Sequence, residues 1–274
     1  MNLQKALRHW LPPAIHGALG RASGRSIRFE GGWTDWAAAA AACSGYDDTT
    51  ILQRVVAATR EVVAGRANGE RDAVLLDHWV PPFQILAPLL RHALRHGGRL
   101  DVVDFGGSLG STYRQCRPYL PRLSALRWQV VEQPGFVAAG RAEFTTDVLS
   151  FHALVAELPP PAAPRILLLS SALQYLEHTR QHIDAWGRSS IESVVIDRSP
   201  VGDGTHHLAC AQHVPRHIYP ASYPCWIFSR AQLLEDLQRH WRLLGEFDCP
   251  EGRHVSRRGP AFEFKGFLLE RPAA

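Results

Sequence analysis

The segment Val102-Val103-Asp104-Phe105-Gly106-Gly107-Ser108-Leu109-Gly110-Ser111 limits what this chain can fold into more than any other stretch of it. An apolar run ends in an acid, three glycines follow and a helical pattern begins, which reads as a buried strand, a tight turn and a crossover helix. Glycines at the carboxyl end of a parallel strand let a ligand touch backbone and permit dihedrals that side chains resist. Three more short apolar runs, at 128–132, 165–169 and 193–197, are each followed by polar or glycine-rich sequence, with connections long enough for crossovers. Residues 241–247 and 262–270 predict a closing antiparallel pair. The expected fold class is therefore α/β: a Rossmann-like sheet, mostly parallel, with an antiparallel C-terminal strand pair.

Ahead of that sheet the period changes. Ile51, Leu52, Val55, Val56, Val62 and Val63 recur at helical spacings, and Ile85, Leu86, Leu89, Leu90 and Leu94 repeat the habit. Residues 1–97 thus read as an N-terminal helical extension packed on a domain spanning 98–274. Ser229, with Gln232 three positions on, predicts the cap of a helix over 230–240. The net charge of +4 comes from scattered arginines, not from the basic stripe of a nucleic-acid binder, so no nucleic-acid partner is expected. Five cysteines, an odd number with no Cys-x-x-Cys pair, predict reduced thiols and no metal site. Charges interrupt the first residues before an apolar stretch reaches the length of a signal-peptide core or a span. The expectation is a cytoplasmic protein without stable membrane insertion. The segment before Pro12-Pro13 reads either as a docking helix or as one lying on a membrane surface.

Asp104, Gly106, Gly107, Ser108 and Gly110 form the turn against which a nucleoside would lie, Asp104 holding the ligand's charged amino-acid end directly or through water. Three readings of this turn compete. The dinucleotide fingerprint Gly-x-Gly-x-x-Gly, ending at Gly110, needs glycine where Phe105 stands. Gly106-x-Ser108-x-Gly110 matches the nucleophile elbow of an α/β hydrolase, with Asp197 and later histidines in the right chain order. Against it, the upstream residues look helical where that fold needs strands, and no oxyanion segment precedes the turn. The third reading is a methyltransferase. Glu132 ends the next strand, where a carboxylate accepts both hydrogens of a ribose diol, with Gln133 beside it. Asp147 reads either as a carboxylate near an adenine amino group or as a helix cap, and Ser170 and Ser171 either line the meeting point of cofactor and acceptor or, for Ser171, cap a helix.

The order Phe29-x-Gly31, Trp36, Gly45-Tyr46-Asp47, Asp104-Phe-Gly-Gly-Ser-Leu-Gly-Ser, Val131-Glu132-Gln133, Ser170-Ser171-x-Leu173-Gln174-Tyr175-Leu176, Asp197-Arg198 and Gln212-x-Val214-Pro215 resembles a family of uncharacterised bacterial methyltransferases over nearly the whole chain. The resemblance implies a class I methyltransferase fold with S-adenosyl-L-methionine as cofactor. The family's frequent setting beside surface-polysaccharide genes implies a small-molecule or sugar acceptor. The expected reaction is in-line transfer of a sulfonium methyl to an acceptor oxygen, with rate gained from alignment and desolvation. The non-enzymatic alternative is a degenerate fold that binds cofactor without turnover. A general base would serve an alcohol acceptor, and His178, Asp197, His206, His207 and His213 all follow the fourth or fifth strand. Gln174, Tyr175 and Arg198 stand beside the acceptor on this reading. The segment 206–228, with Gln212, Tyr219, Tyr223 and Trp226, reads either as the acceptor wall or as a surface connection stiffened by Pro215, Pro220 and Pro224.

Overall fold

The computed structural model describes residues 27–44, 48–71, 73–76, 78, 81–215 and 221–272. Its N-terminal part holds β1 (Arg28–Trp33), α1 (Trp36–Ala41), α2 (Asp48–Val63), the short pair β2 (Glu70–Arg71) and β3 (Val74–Leu75), and α3 (Phe83–Arg95). The central part alternates strand and helix: β4 (Arg99–Phe105), α4 (Ser111–Cys116), β5 (Ala125–Val131), α5 (Pro134–Glu143), β6 (Leu149–His152), β7 (Arg165–Ser170), α6 (Thr179–Gly187) and β8 (Ile191–Gly202). The C-terminal part runs through β9 (Leu208–Val214), β10 (Ala221–Ser229), α7 (Arg230–Gln238), β11 (Arg242–Val255) and β12 (Ala261–Glu270).

Strands β6, β5, β4, β7 and β8 are neighbours in that order and all parallel, while β12 runs antiparallel to β8 and β11 antiparallel to β12. This is the mostly parallel α/β sheet with a closing antiparallel pair that the apolar runs predict. The chain steps outward from β4 to β6 and then resumes on the other side with β7, so the order reverses between β4 and β7. Open α/β sheets bind ligands outside the carboxyl ends of strands at such a reversal. Alternation divides each strand between two faces. Leu100, Val102, Ile166, Leu168 and Val195 pack with Ile85, Leu86 and Leu89 of α3 and Val137 of α5. Val103, Leu167, Leu169, Val194 and Ile196 pack with Ile183 and Trp186 of α6 and Leu233 and Leu237 of α7 on the other face. Helices cover both faces, which is why these strands read as continuous apolar runs.

Residues 1–97 are not simply a helical extension. β1 pairs antiparallel with β9, β9 with β10, and β10 joins the end of β8 at Phe228 and Ser229. Asp197 marks the carboxyl edge by pairing with Ser170, and β8 continues past it to Gly202, so this three-stranded layer stands beyond the edge. Phe29, Cys210, Cys225 and Ile227 pack there against Cys249, Phe262 and Phe264 of the C-terminal pair. Gly31-Gly32 interrupts the alternation of β1 and the register shifts at that point, so pairing with β9 makes this strand and local preference does not. Segment 206–228 is therefore largely a β-ribbon and not a connection; Tyr219 lies outside the described residues. No helix among the described residues is long and apolar enough to cross a membrane.

Candidate active site

Where the strand order reverses, β4 gives way to the glycine turn. Gly106 has φ +73° and donates its N–H to the Val131 carbonyl at 2.9 Å. A Cβ on Gly106 would stand 2.7 Å from the Ala172 Cβ, and one on Gly107 would stand 2.4 Å from Cγ of Asp104, so neither position accepts a side chain. Gly110 serves packing: a Cβ there would meet Leu149 at 2.9 Å. Beneath the turn Asp104 is fully buried. Its Oδ2 accepts the Trp128 indole N–H at 2.8 Å, and its Oδ1 has no hydrogen-bond partner among the described residues. Burial pushes the carboxyl up to about 7, and the nearby Glu132 charge adds to the rise. A cation brought against Oδ1 would restore the ionised form.

Glu132 follows β5 and braces the turn. Its Oε1 accepts the Ser108 N–H at 3.1 Å and its Oε2 the Gln133 N–H at 2.8 Å, while burial raises its carboxyl above the ordinary value. Each oxygen keeps a second acceptor lone pair. Across the reversal, Ser171 (φ +59°) donates its N–H to the Asp197 carbonyl at 2.8 Å. Ser170 Oγ donates to Asp197 Oδ2 at 2.8 Å, and Arg198 donates from Nε to the same oxygen at 3.1 Å and from Nη2 to Ser170 Oγ at 2.9 Å. Gln174 is buried and donates to Ser171 Oγ at 3.0 Å, supporting the serine from behind.

Three clefts meet at Ser171. The first, about 250 Å³, runs from Asp104 and the glycine turn past Ser170, Asp197 and Arg198 to Glu70 and Arg71. The second, about 680 Å³, is lined by Phe105, Val131, Glu132, Gln133 and Leu154. The third, about 370 Å³, lies under the three-stranded layer, between Gln212, Tyr223, Tyr175, Phe29 and Phe264. Tyr175 and Tyr223 line the second and third clefts alike. The buried Gln212 amide ties them together: Tyr175 O–H donates to Oε1 at 3.1 Å, and Nε2–H donates to the Tyr223 oxygen at 3.2 Å.

Other residues that the sequence nominates lie elsewhere. Asp147 stands before β6, at the amino edge of the sheet, where Thr146 Oγ1 accepts the Val148 and Leu149 N–H groups and starts the strand. It therefore caps no helix and reaches no ligand at the carboxyl edge. His178 is exposed at the head of α6. His206 is exposed, and His207 is structural: its Nδ1 accepts the Ser229 N–H at 3.0 Å, its ring packs edge-on against Phe228, and burial pulls its pKa down to about 4. His213 occupies the face of β9 opposite Gln212, 3.6 Å from Glu30. Trp226 also faces away from Tyr223 and donates its indole N–H to the Leu176 and Glu177 carbonyls. Of the five base candidates, only Asp197 lines one of these clefts.

Sequence reading misses Phe29, Arg71, Glu251 and His254, all of which line the third cleft. They arrive through strand pairing; Phe29 alone belongs to a quoted motif, Phe29-x-Gly31, and that motif assigns it no place at a site. Ser108 lines the first two clefts, and no histidine lines either, while Asp197 is engaged by Ser170 and Arg198. No Ser-His-Asp relay forms around Ser108 among the described residues. At the amino edge His92, His96 and Glu192 gather, yet both ring nitrogens of His92 are already met at 2.9 Å, by Ser193 Oγ and by the Pro164 carbonyl.

No protein-family profile and no curated protein matches this chain. Among solved structures, the chain is similar to the N-terminal domain of EvdMO1, solved in the presence of S-adenosylhomocysteine and D-fucose, at 12% identity over 84% of this chain and 98% of that one, with a TM-score of 0.48. It is similar to an S-adenosylmethionine-dependent methyltransferase from Clostridium acetobutylicum at 9% identity over 71% and 93%, with a TM-score of 0.43. The Burkholderia thailandensis 1,6-didemethyltoxoflavin-N1-methyltransferase, with bound 1,6-didemethyltoxoflavin and S-adenosylhomocysteine, matches at 14% identity over 84% and 95%, with a TM-score of 0.41. All three lie below a TM-score of 0.5, so what the site can do is read from its own residues.

Proposed function

We propose that this chain is a class I methyltransferase that binds S-adenosylmethionine across the β4/β7 reversal and methylates an oxygen of a small-molecule acceptor. One observation carries the proposal: a buried carboxylate with an unpartnered oxygen, Asp104, lies under a turn whose Gly106 and Gly107 positions admit no side chain, with Glu132 one strand away. The residues fit this cofactor. Asp104 Oδ1 receives the ammonium of its amino-acid end, and Gly106, Gly107 and Ser108 give it backbone contact. Glu132 would accept the ribose hydroxyls with its remaining lone pairs, and Phe105, Val131 and Leu154 would hold the base by apolar contact.

When bound, the cofactor supplies a methyl group on a sulfonium, which leaves as a neutral thioether. The protein holds the acceptor in line and keeps water out. Ser171, Tyr175 and Tyr223 stand where the cofactor and acceptor clefts join, and the Ser170, Asp197 and Arg198 network fixes the far wall. Free thiols suit a reducing compartment, and we place the reaction in the cytoplasm. Incubation with methyl-labelled S-adenosylmethionine and an extract of hydroxylated small molecules should yield a labelled O-methyl product, while Ser108 stays unmodified by a fluorophosphonate probe. Ester hydrolysis with probe attached to Ser108, and no methyl transfer, would install the hydrolase in its place.

A further inference from the structure

Besides its rings, the third cleft carries charge. Arg71, Arg198 and Glu251 line it together, and Glu251 is the one carboxylate among its described lining residues. Glu251 Oε1 lies 3.8 Å from Arg71 Nη1 and 3.9 Å from Arg198 Nη1. Its Oε2 is buried and has no hydrogen-bond partner among the described residues. A buried carboxylate oxygen without a donor is costly, and a ligand hydroxyl in the cleft would supply that donor.

The strand is broken to put Glu251 there. β11 and β12 pair Asp248 with Lys265 and Arg253 with Glu263, so Cys249, Pro250, Glu251 and Gly252 stand against Phe264 alone. Such a bulge re-aims side chains out of the ladder's alternation. Gly252 turns it at φ +65°, and Pro250 lines the first cleft while Glu251 lines the third. Arg198, at φ +56°, donates its backbone N–H to Cys249 Sγ at 3.4 Å and so ties the bulge to β8 beside Asp197.

Other groups near the cleft that could take a proton are occupied. Asp197 accepts from Ser170 and Arg198, Tyr175 and Tyr223 are tied to Gln212, and His254 donates from Nε2 to the Glu251 carbonyl at 3.0 Å. An alkyl hydroxyl is about as weak an acid as water, at about 15.7. It becomes acidic only as its oxygen bonds to carbon, so its methylation gains from a carboxylate within hydrogen-bond reach at that moment. A phenol, which ionises near ~10, gains less.

We infer that Glu251 is the general base for an alkyl hydroxyl of the acceptor, which lies in the third cleft against Oε2. This deepens the methyl-transfer reading and rests on it. In the step, the acceptor oxygen bonds to the methyl carbon, the carbon–sulfur electron pair stays on sulfur, and the hydroxyl proton passes to Oε2 and from there to water.

The wild type, Glu251→Ala and Glu251→Gln are each incubated with methyl-labelled S-adenosylmethionine and an extract of hydroxylated small molecules, and each is titrated calorimetrically with S-adenosylhomocysteine. The wild-type product should be an alkyl methyl ether, identified by NMR of the labelled methyl group. Both substitutions should lower transfer at least about 100-fold and leave S-adenosylhomocysteine affinity unchanged. Added formate, a small carboxylate, should restore transfer by Glu251→Ala at least about tenfold and do nothing for Glu251→Gln, where the amide fills the space. Glu251→Gln, which keeps the side chain's shape, decides should Glu251→Ala fail to fold. An aryl methyl ether as product, parental transfer by either variant, or a loss in folded Glu251→Ala that formate does not relieve overturns the inference. Absence of both S-adenosylhomocysteine binding and methyl transfer in the wild type overturns the methyltransferase reading, and the inference with it.

Discussion

Asp104 and Glu132 are carboxylates near the ends of adjacent strands, and their surroundings give them different tasks. Glu132 has two backbone N–H partners and acts as a brace, whereas Asp104 has the Trp128 indole alone and a carboxyl pushed up to about 7. A raised acid holds its proton in the folded state at a pH where the unfolded chain has released it, so this group's contribution to stability falls as pH rises from about 4 to about 7. Ligand binding runs the other way: a cationic group against Oδ1 needs the ionised form and expels the proton. Affinity for S-adenosylhomocysteine should therefore rise between pH 6 and pH 8, levelling above about 7. In Asp104→Asn the affinity should be lower at pH 8 and most of that rise should vanish, read by calorimetry across the range. A variant with the parental affinity and slope would remove Asp104 from the ammonium site.

Among the elements, α7 shows how local chemistry secures the distal layer. Ser229 ends β10, and its Oγ accepts the Gln232 N–H at 3.3 Å to start the helix. Ser229→Ala removes a buried cap and should cost about 1 kcal/mol. For a chain of this size that is a fall in Tm of roughly 2–4 °C. Cofactor affinity should not change, because Ser229 lies outside all three clefts; a large loss of affinity would tie α7 to the ligand sites. This cap was legible in the sequence, as were β4, β5, β7 and β8, because buried parallel strands announce themselves as apolar runs. β1, β9 and β10 were not. Gly31-Gly32 and Pro224 are punctuation by local rules, yet non-local pairing made ribbon of the residues around them. The same limit hid the third cleft's aromatic wall, since Phe29 and Phe264 come from opposite ends of the chain. Asp147 failed because β6 is only four residues long and starts two residues later, turning an apparent strand end into a strand start.

In the molecule as a whole, the clefts open at the reversal between β4 and β7, and the extra layer carried beyond the carboxyl edge by β8 walls the third of them. The glycine turn, Asp104 and Glu132 belong to the sheet, while Gln212, Tyr223 and Phe29 belong to the layer, and Ser171 stands between them. On the proposed reading, cofactor and acceptor are held by different parts of the fold. Changes in one cleft should be separable from binding in the other. The central claim concerns the sheet half, and calorimetric titration of the wild-type protein and Glu132→Ala with S-adenosylhomocysteine tests it most directly. The wild type should bind one equivalent, and the variant should lose about 1.5–3 kcal/mol as charge-assisted bonds to the ribose disappear. That is about tenfold or more in affinity. No binding to the wild type, or equal binding by a folded Glu132→Ala variant, would contradict the account.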